Sequence, residues 1–324
     1  MNVGKLSSTL QVRDYETTAK ADAAAPSWQS RCLNVLLGLL PIKKQLASAA
    51  VVQERVRRLA LRPAPYEPKG LGLDIVVTLK NVAGWPVYYT ALSTNPEPSD
   101  YVVFLHGGGY INEIVPAHWR FVAYLTRKAQ VRCVVPIFPL APGATAKDIV
   151  PATGQLLRNL LKDVWPAKVT VIGNSAGAGL TLAAAQWLRN AGQRQPDRLV
   201  LISPGLDASV SRPEQVAIAE RDPTQAIPGM VEVGRLYAGA LDITHPYVSP
   251  LNGDFQGLPP MTVFSGTRDL LYPDSIDLAA KARAAGVPVD LHLRQGQPHN
   301  YAGLPTPEGR QAREAILRVL RDQA

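Results

Sequence analysis

Val169-Thr170-Val171-Ile172-Gly173-Asn174-Ser175-Ala176-Gly177 is the stretch that decides how this chain reads. An apolar, β-branched run of the kind that forms a buried strand leads directly into Gly-x-Ser-x-Gly. Leu180-Thr181-Leu182-Ala183-Ala184-Ala185 follows and reads as helix. Strand, sharp turn and helix in that order are the context of a nucleophile elbow. Such a turn holds its central residue in a strained backbone conformation, so the flanking positions must be small. Gly173 and Gly177 meet that need and leave the Ser175 hydroxyl projecting above the sheet. The plainer alternative is an ordinary helix start capped by Ser175; the buried strand before it and the Ala-rich helix after it favour the elbow.

Upstream, Val102-Val103-Phe104-Leu105 is another buried-strand run, and it enters His106-Gly107-Gly108-Gly109-Tyr110. Three consecutive glycines cost backbone entropy, which a merely structural turn, such as a Gly-rich hairpin, rarely spends. They let the backbone approach a ligand closely and aim N–H groups at one spot. In acyl transfer that spot is the oxyanion of a tetrahedral intermediate.

With these motifs the chain resembles the hormone-sensitive-lipase-like esterases (bacterial family IV), a branch of the α/β-hydrolases. The match is carried by His106-Gly107-Gly108-Gly109, Pro139-Leu140-Ala141-Pro142, Gly173-Asn174-Ser175-Ala176-Gly177, Ser249-Pro250-Leu251, Gly266-Thr267-Arg268-Asp269 and His299, in the family's order. Asn174 stands where the family usually has Asp, and Asn300-Tyr301 follows His299 where Gly-Phe is common. Both departures touch the pocket wall; neither removes a catalytic group. The resemblance implies an α/β-hydrolase fold, with a mostly parallel eight-stranded sheet, helices on both faces and a helical cap.

Composition sets outer bounds. A chain of 324 residues suits one large domain with an accessory lid. The net charge is +8, and most of it sits in residues 1–70, where 11 Lys/Arg face 5 acids. No aromatic interleaving or binding module accompanies this charge, so a nucleic-acid partner is not expected. Cys32 and Cys133 offer no disulfide framework. No secretory signal is evident, and the apolar run from Leu33 to Ile42 is too short to span a bilayer. The expected location is cytoplasmic. Neither a zinc-type His/Cys spacing nor a phosphate-binding loop is present, and the expected chemistry needs no metal or cofactor.

Along the chain, residues 1 to about 25 read as a mobile arm, and residues 28–62 as one or two amphipathic helices. The N-terminal segment, residues 1–65, is expected to fold over the active-site end of a catalytic domain spanning residues 66–324. A membrane-surface anchor is the less favoured reading of the same segment. After the Pro-rich linker Arg62-Pro63-Ala64-Pro65-Tyr66-Glu67-Pro68, two strands near residues 73–79 and 85–91 precede a regular alternation of strands and helices. That alternation implies a parallel sheet covered on both faces, with functional groups at the strands' C-terminal ends. It breaks at about residues 208–246, which read as a helical cap insertion. Tyr110, Ile218, Met230, Leu236, Tyr237 and Tyr301 are the candidates for lining the substrate pocket. For the cap residues among them, burial in the cap's own core is an equal alternative.

Ser175 needs a base, because a free serine hydroxyl is a weak nucleophile. Of the five histidines, His106 belongs to the glycine loop, His118 to a helix, His245 to the cap and His292 to a strand face. His299 follows the last strand in a loop, after the serine and the acid, as α/β-hydrolase order requires. Asp269 is the expected acid, with Asp207 as rival and Asp274 as a helix cap. Backbone N–H groups of Gly108, Gly109 and Ala176 would form the oxyanion hole, with His106 and Gly107 supporting that loop. The expected function is hydrolysis of short- to medium-chain acyl esters, small molecules, by a monomer or homodimer. Amide, lactone or carbonate hydrolysis on the same triad remains open, as does a catalytically silent ligand-binding protein.

Overall fold

The computed structural model describes residues 21–22 and 24–321. A single sheet runs in the order β1-β9-β8-β7-β6-β4-β5-β3-β2. Its strands are β1 (Ala21–Asp22), β2 (Ile75–Val82), β3 (Trp85–Leu92), β4 (Tyr101–Leu105), β5 (Arg132–Pro136), β6 (Val169–Asn174), β7 (Arg198–Ile202), β8 (Met261–Gly266) and β9 (Val289–Arg294). The eight strands β2 to β9 are those the alternation implies. β1 adds two residues, Ala21 pairing with Leu293 and Asp22 with Arg294. The rest of the mobile arm expected at residues 1 to about 25 lies almost wholly outside the described residues. β3 runs antiparallel to both of its neighbours, and the other pairings are parallel.

The central strands are buried on both faces, and alternate residues enter different cores. Val103, Leu105 and Val171 pack with the helices α4 (Ala146–Asp163), α5 (Ala176–Asn190) and α8 (Tyr272–Ala284). Val102, Phe104 and Ile172 pack with α3 (Pro116–Ala129) and α9 (Pro307–Arg321). The period of two along a strand produces this division. It explains why β4 and β6 read as continuous apolar runs rather than alternating ones.

Two further pairs of helices lie outside this layered body. α1 (Trp28–Leu39) and α2 (Ala49–Leu61) precede the sheet strands β2 to β9, while α6 (Pro213–Arg221) and α7 (Ile227–Ala238) intervene between β7 and β8. α2 packs on α7, where Gln53 Nε2 donates to Glu232 Oε1 at 2.8 Å. Lys43, in the turn between α1 and α2, donates to the carbonyls of Ala219 and Asp222. Among the described residues no helix is long and apolar enough to cross a membrane.

Candidate active site

Ser175 lies between β6 and α5 with φ 53° and ψ −122°, a region that side-chain-bearing residues rarely occupy and hold only when surrounding structure imposes it. Its N–H donates to the Ile202 carbonyl at the end of β7, 2.8 Å away. Gly177 abuts the last carbonyls of β4. A Cβ there would meet the oxygen of Leu105 and, at 2.6 Å, that of His106. The elbow glycine is thus required by close approach as well as by the turn.

His299 joins the other two groups. Its Nε2 lies 2.9 Å from Ser175 Oγ, and its Nδ1 lies 2.8 Å from Asp269 Oδ2. A carboxylate only accepts, so Nδ1 carries a proton and Nε2 of the neutral ring is free to accept the serine's. The loops that bring these residues together are zipped to each other. Arg268 N–H donates to the Gln297 carbonyl at 3.0 Å and Thr267 N–H to that of Arg294 at 3.0 Å. Beyond the histidine, Asn300 N–H donates to Ser203 Oγ at 2.9 Å. Asp269 is fully buried and also accepts Leu271 N–H, 2.9 Å away.

Burial works against protonation of His299, but the carboxylates of Asp269 and Asp222 outweigh it and hold its pKa above the ordinary histidine value. Asp222 was not singled out in the sequence. It sits just after α6, accepting the N–H groups of Thr224, Gln225 and Leu270, the last at 2.7 Å. Burial, and then the neighbouring Asp269, push its own pKa up. The only local hint was Asp222-Pro223-Thr224, a turn-forming sequence with no marker of its distant neighbour.

The rival acids have other places. Asp207 Oδ1 accepts the Ser209 N–H and hydroxyl, at 3.0 and 2.7 Å. Asp274 does not cap its helix. It is buried within the first turn of α8 and accepts Leu206 N–H and Asp207 N–H at 2.8 and 3.0 Å. Burial raises its pKa to about 7, against the opposing pull of Arg212.

The glycine loop takes the conformations its sequence implied, with φ 128° at Gly108 and 62° at Gly109. Asn174 Oδ1 accepts Gly107 N–H at 2.6 Å, so the residue before the serine fastens this loop to the elbow. His106 donates from Nδ1 to the Gly107 carbonyl at 2.7 Å and stacks on Phe138, centroids 4.3 Å apart. Burial, only partly offset by that carbonyl, takes its pKa down to about 4.

Ser175 opens on a cavity of ≈ 50 Å³ that Gly109, Ala176, Val210, Met230, Val233 and Val248 help to line. Gly109 and Ala176 therefore adjoin the space where a reacting carbonyl would sit, and the Gly108 carbonyl accepts Asn112 N–H at 3.1 Å. Tyr110 and Tyr237 also border the cavity, their rings stacked 3.5 Å apart.

Three expected lining residues do not border this cavity. Met230, Val233, Gly234 and Tyr237 share one face of α7, at spacings of three and four; Leu236 points off that face and packs against the apolar core. Ile218 is buried on α6 away from the cavity. Tyr301 turns beneath the sheet into the core formed with Phe264 and Ile316. Val210, Val248 and Leu271 take part instead, from loops far apart in the chain.

Fold and geometry together define a hydrolase built on a serine elbow. Comparison with known proteins agrees: the profile of the alpha/beta hydrolase fold family matches residues 102–303. A triacylglycerol lipase of Mycobacterium tuberculosis is 32% identical over 71% of this chain. The alignment spans only about half of that relative's length, 50%. An acetyl-hydrolase of Streptomyces hygroscopicus is 30% identical over 68% of this chain and 75% of its own. A solved esterase of the bacterial hormone-sensitive lipase family superimposes with a TM-score of 0.78 at 28% identity, covering 93% of this chain and 99% of that one. The chain belongs to the alpha/beta hydrolase fold family, and within it is similar to esterases of the hormone-sensitive-lipase-like group.

Proposed function

We propose that the protein hydrolyses esters of short carboxylic acids through Ser175, His299 and Asp269. The observation that carries the reading is the chain of contacts at 2.9 and 2.8 Å from Ser175 Oγ through the imidazole to Asp269, beside a cavity edged by Gly109 and Ala176. His299 Nε2 takes the serine proton as Oγ bonds to the ester carbonyl carbon. The carbonyl π electrons move onto oxygen, where the N–H groups of Gly108, Gly109 and Ala176 stabilise the charge. Asp269 orients the ring and stabilises its protonated form. Collapse of the intermediate breaks the bond to the alkoxy oxygen, which leaves with the proton from Nε2. Water then attacks the acyl-enzyme by the same route and regenerates Ser175.

Acyl length follows from the cavity. An engineered apolar cavity of about 150 Å³ accepts benzene, so ≈ 50 Å³ suits an acyl group of about two to four carbons. The acetyl-hydrolase among its relatives fits this reading. Of the segment expected at residues 1–65, helix α2 serves with the insertion at about 208–246 as the cap over the catalytic domain of residues 66–324, a division supported by the packing of α2 on α7. Free Cys32 and Cys133 suit a reducing cytoplasm, and the enzyme works as a monomer or homodimer. The test is a series of p-nitrophenyl esters from acetate to palmitate. Highest kcat/KM on the acetate or butyrate ester is expected. A maximum at palmitate would overturn the acyl-length reading, and inactivity on the whole series would overturn ester hydrolysis itself.

A further inference from the structure

Helix α1 turns Ser30 and Asn34 inward, beside half-buried Leu33 and Leu37, and exposes an apolar stripe. Ser30 and Asn34 are 2% and 7% exposed, whereas Trp28, Val35 and Leu39 are 65%, 66% and 78% exposed. Leu36 is exposed as well, and so is Cys32. At 3.6 residues per turn, positions 28, 32, 35, 36 and 39 form one stripe, and positions 30 and 34 lie on the opposite side. A helix covering a domain surrounded by water normally shows the reverse arrangement.

Specific hydrogen bonds hold this orientation. The Glu308 carboxylate accepts Ser27 N–H at 2.6 Å, the Ser27 hydroxyl at 2.9 Å and the Ser30 hydroxyl at 2.7 Å. Asn34 Nδ2 donates to the Gly296 carbonyl at 3.0 Å. These bonds lock the inner face to α9 and to the loop before His299, so the outward apolar stripe is a built feature.

Charge indicates what covers the stripe. From Asp22 to Glu54 the chain has no intervening acid, while Arg31, Lys43 and Lys44 fall within that span. Lys43 is tied back to the Ala219 and Asp222 carbonyls; Arg31 and Lys44 are exposed. A second copy docking by two-fold symmetry would bring these bases together with no acid on the stripe to pair them. An anionic lipid surface offers apolar depth to the stripe and negative headgroups to its basic border.

We propose that the exposed face of α1 docks this protein on anionic phospholipid surfaces, with the helix lying in the headgroup boundary. The turn after α1 leads toward the cavity: Leu46 packs against Gly229 at the start of α7, the helix that presents Met230, Val233 and Tyr237 to it. Docking would hold that side of the molecule near esters dissolved in the lipid. The docking surface itself does not depend on the hydrolytic reading, and its test uses no substrate.

The test is co-sedimentation of the full chain with vesicles of phosphatidylcholine alone and of an equimolar mixture with phosphatidylglycerol. Binding about tenfold tighter to the anionic vesicles is expected, weakening with added salt. Leu36→Ser combined with Leu39→Ser should lower that binding about tenfold or more and leave the thermal melt unchanged. An environment-sensitive dye on Cys32, the exposed thiol of the two, should shift its emission to the blue when anionic vesicles are added. The proposal fails if the protein stays in the supernatant with both vesicles, or if the double variant binds as the wild type does. It also fails if the free protein is a dimer that the double variant dissociates, since a second copy would then cover the stripe.

Discussion

Asn174 turns its amide nitrogen toward His118 Nε2 at 3.4 Å, donor toward donor. Val115 N–H donates to His118 Nδ1 at 3.1 Å. Burial, aided by His106 nearby, takes the His118 pKa down to about 3, so the ring is neutral at pH 7 and its one proton sits on Nε2. Asn174 thus satisfies Gly107 N–H with its oxygen but offers His118 the wrong group. A carboxylate would accept from both.

Stability should therefore rank the variants at this position. Asn174→Ala leaves the Gly107 N–H without its acceptor and should lose about 1–3 kcal/mol. Asn174→Asp should match or exceed the wild type at pH 7, with hydrolysis retained. Chemical denaturation of the three proteins checks the order. An Asp variant less stable than the Ala variant would contradict the donor–donor reading.

Asp222 should help to set the acid limb of the pH profile. His299 acts as a base only when neutral, so kcat/KM rises with pH as the ring loses its proton, at a pKa held above the ordinary value chiefly by Asp269 and then by Asp222. Asp222→Asn removes one of these attractions and should move the limb to lower pH. The raised pKa also stabilises the fold at pH below the unfolded histidine value, and that contribution vanishes as pH rises through the folded value. A limb unmoved in a well-folded Asp222→Asn enzyme would count against this coupling.

Much of this architecture was legible because its signals are local. The apolar runs at 102–105 and 169–172 and the two glycine motifs each lie in a few consecutive residues, and the chain order of Ser175, Asp269 and His299 can be read once the strands before them are recognised. Asp222, His118 and the lining residues Val210 and Val248 were not legible, since each matters through a neighbour distant in sequence. Leu236 and Tyr237 are adjacent in the chain, and only the docking of α7 decides which one meets the cavity. The pattern of α1 revealed an amphipathic helix without revealing which side faces inward; that depended on Glu308, 278 residues beyond Ser30.

Asp269 and Asp207 should separate cleanly by isosteric replacement. Asp269→Asn keeps the shape but favours the wrong imidazole tautomer, and turnover near neutral pH should fall roughly three to four orders of magnitude. Asp207 borders the cavity but is bonded to Ser209 rather than to the imidazole, so Asp207→Asn should lose far less turnover. Turnover of both variants on one short ester, with melts to confirm folding, decides between them. A dead Asp207→Asn enzyme beside an active Asp269→Asn one would transfer the role.

The most direct measurement is turnover of a short p-nitrophenyl ester by Ser175→Ala at matched folded concentration. Its side chain accepts no capping hydrogen bond, and its loss should leave the fold in place while removing the nucleophile. The account predicts a fall on the order of 10⁶, the scale seen when a serine nucleophile is deleted elsewhere. A well-folded Ser175→Ala protein that keeps a tenth of wild-type activity would contradict the claim that Ser175 is the nucleophile.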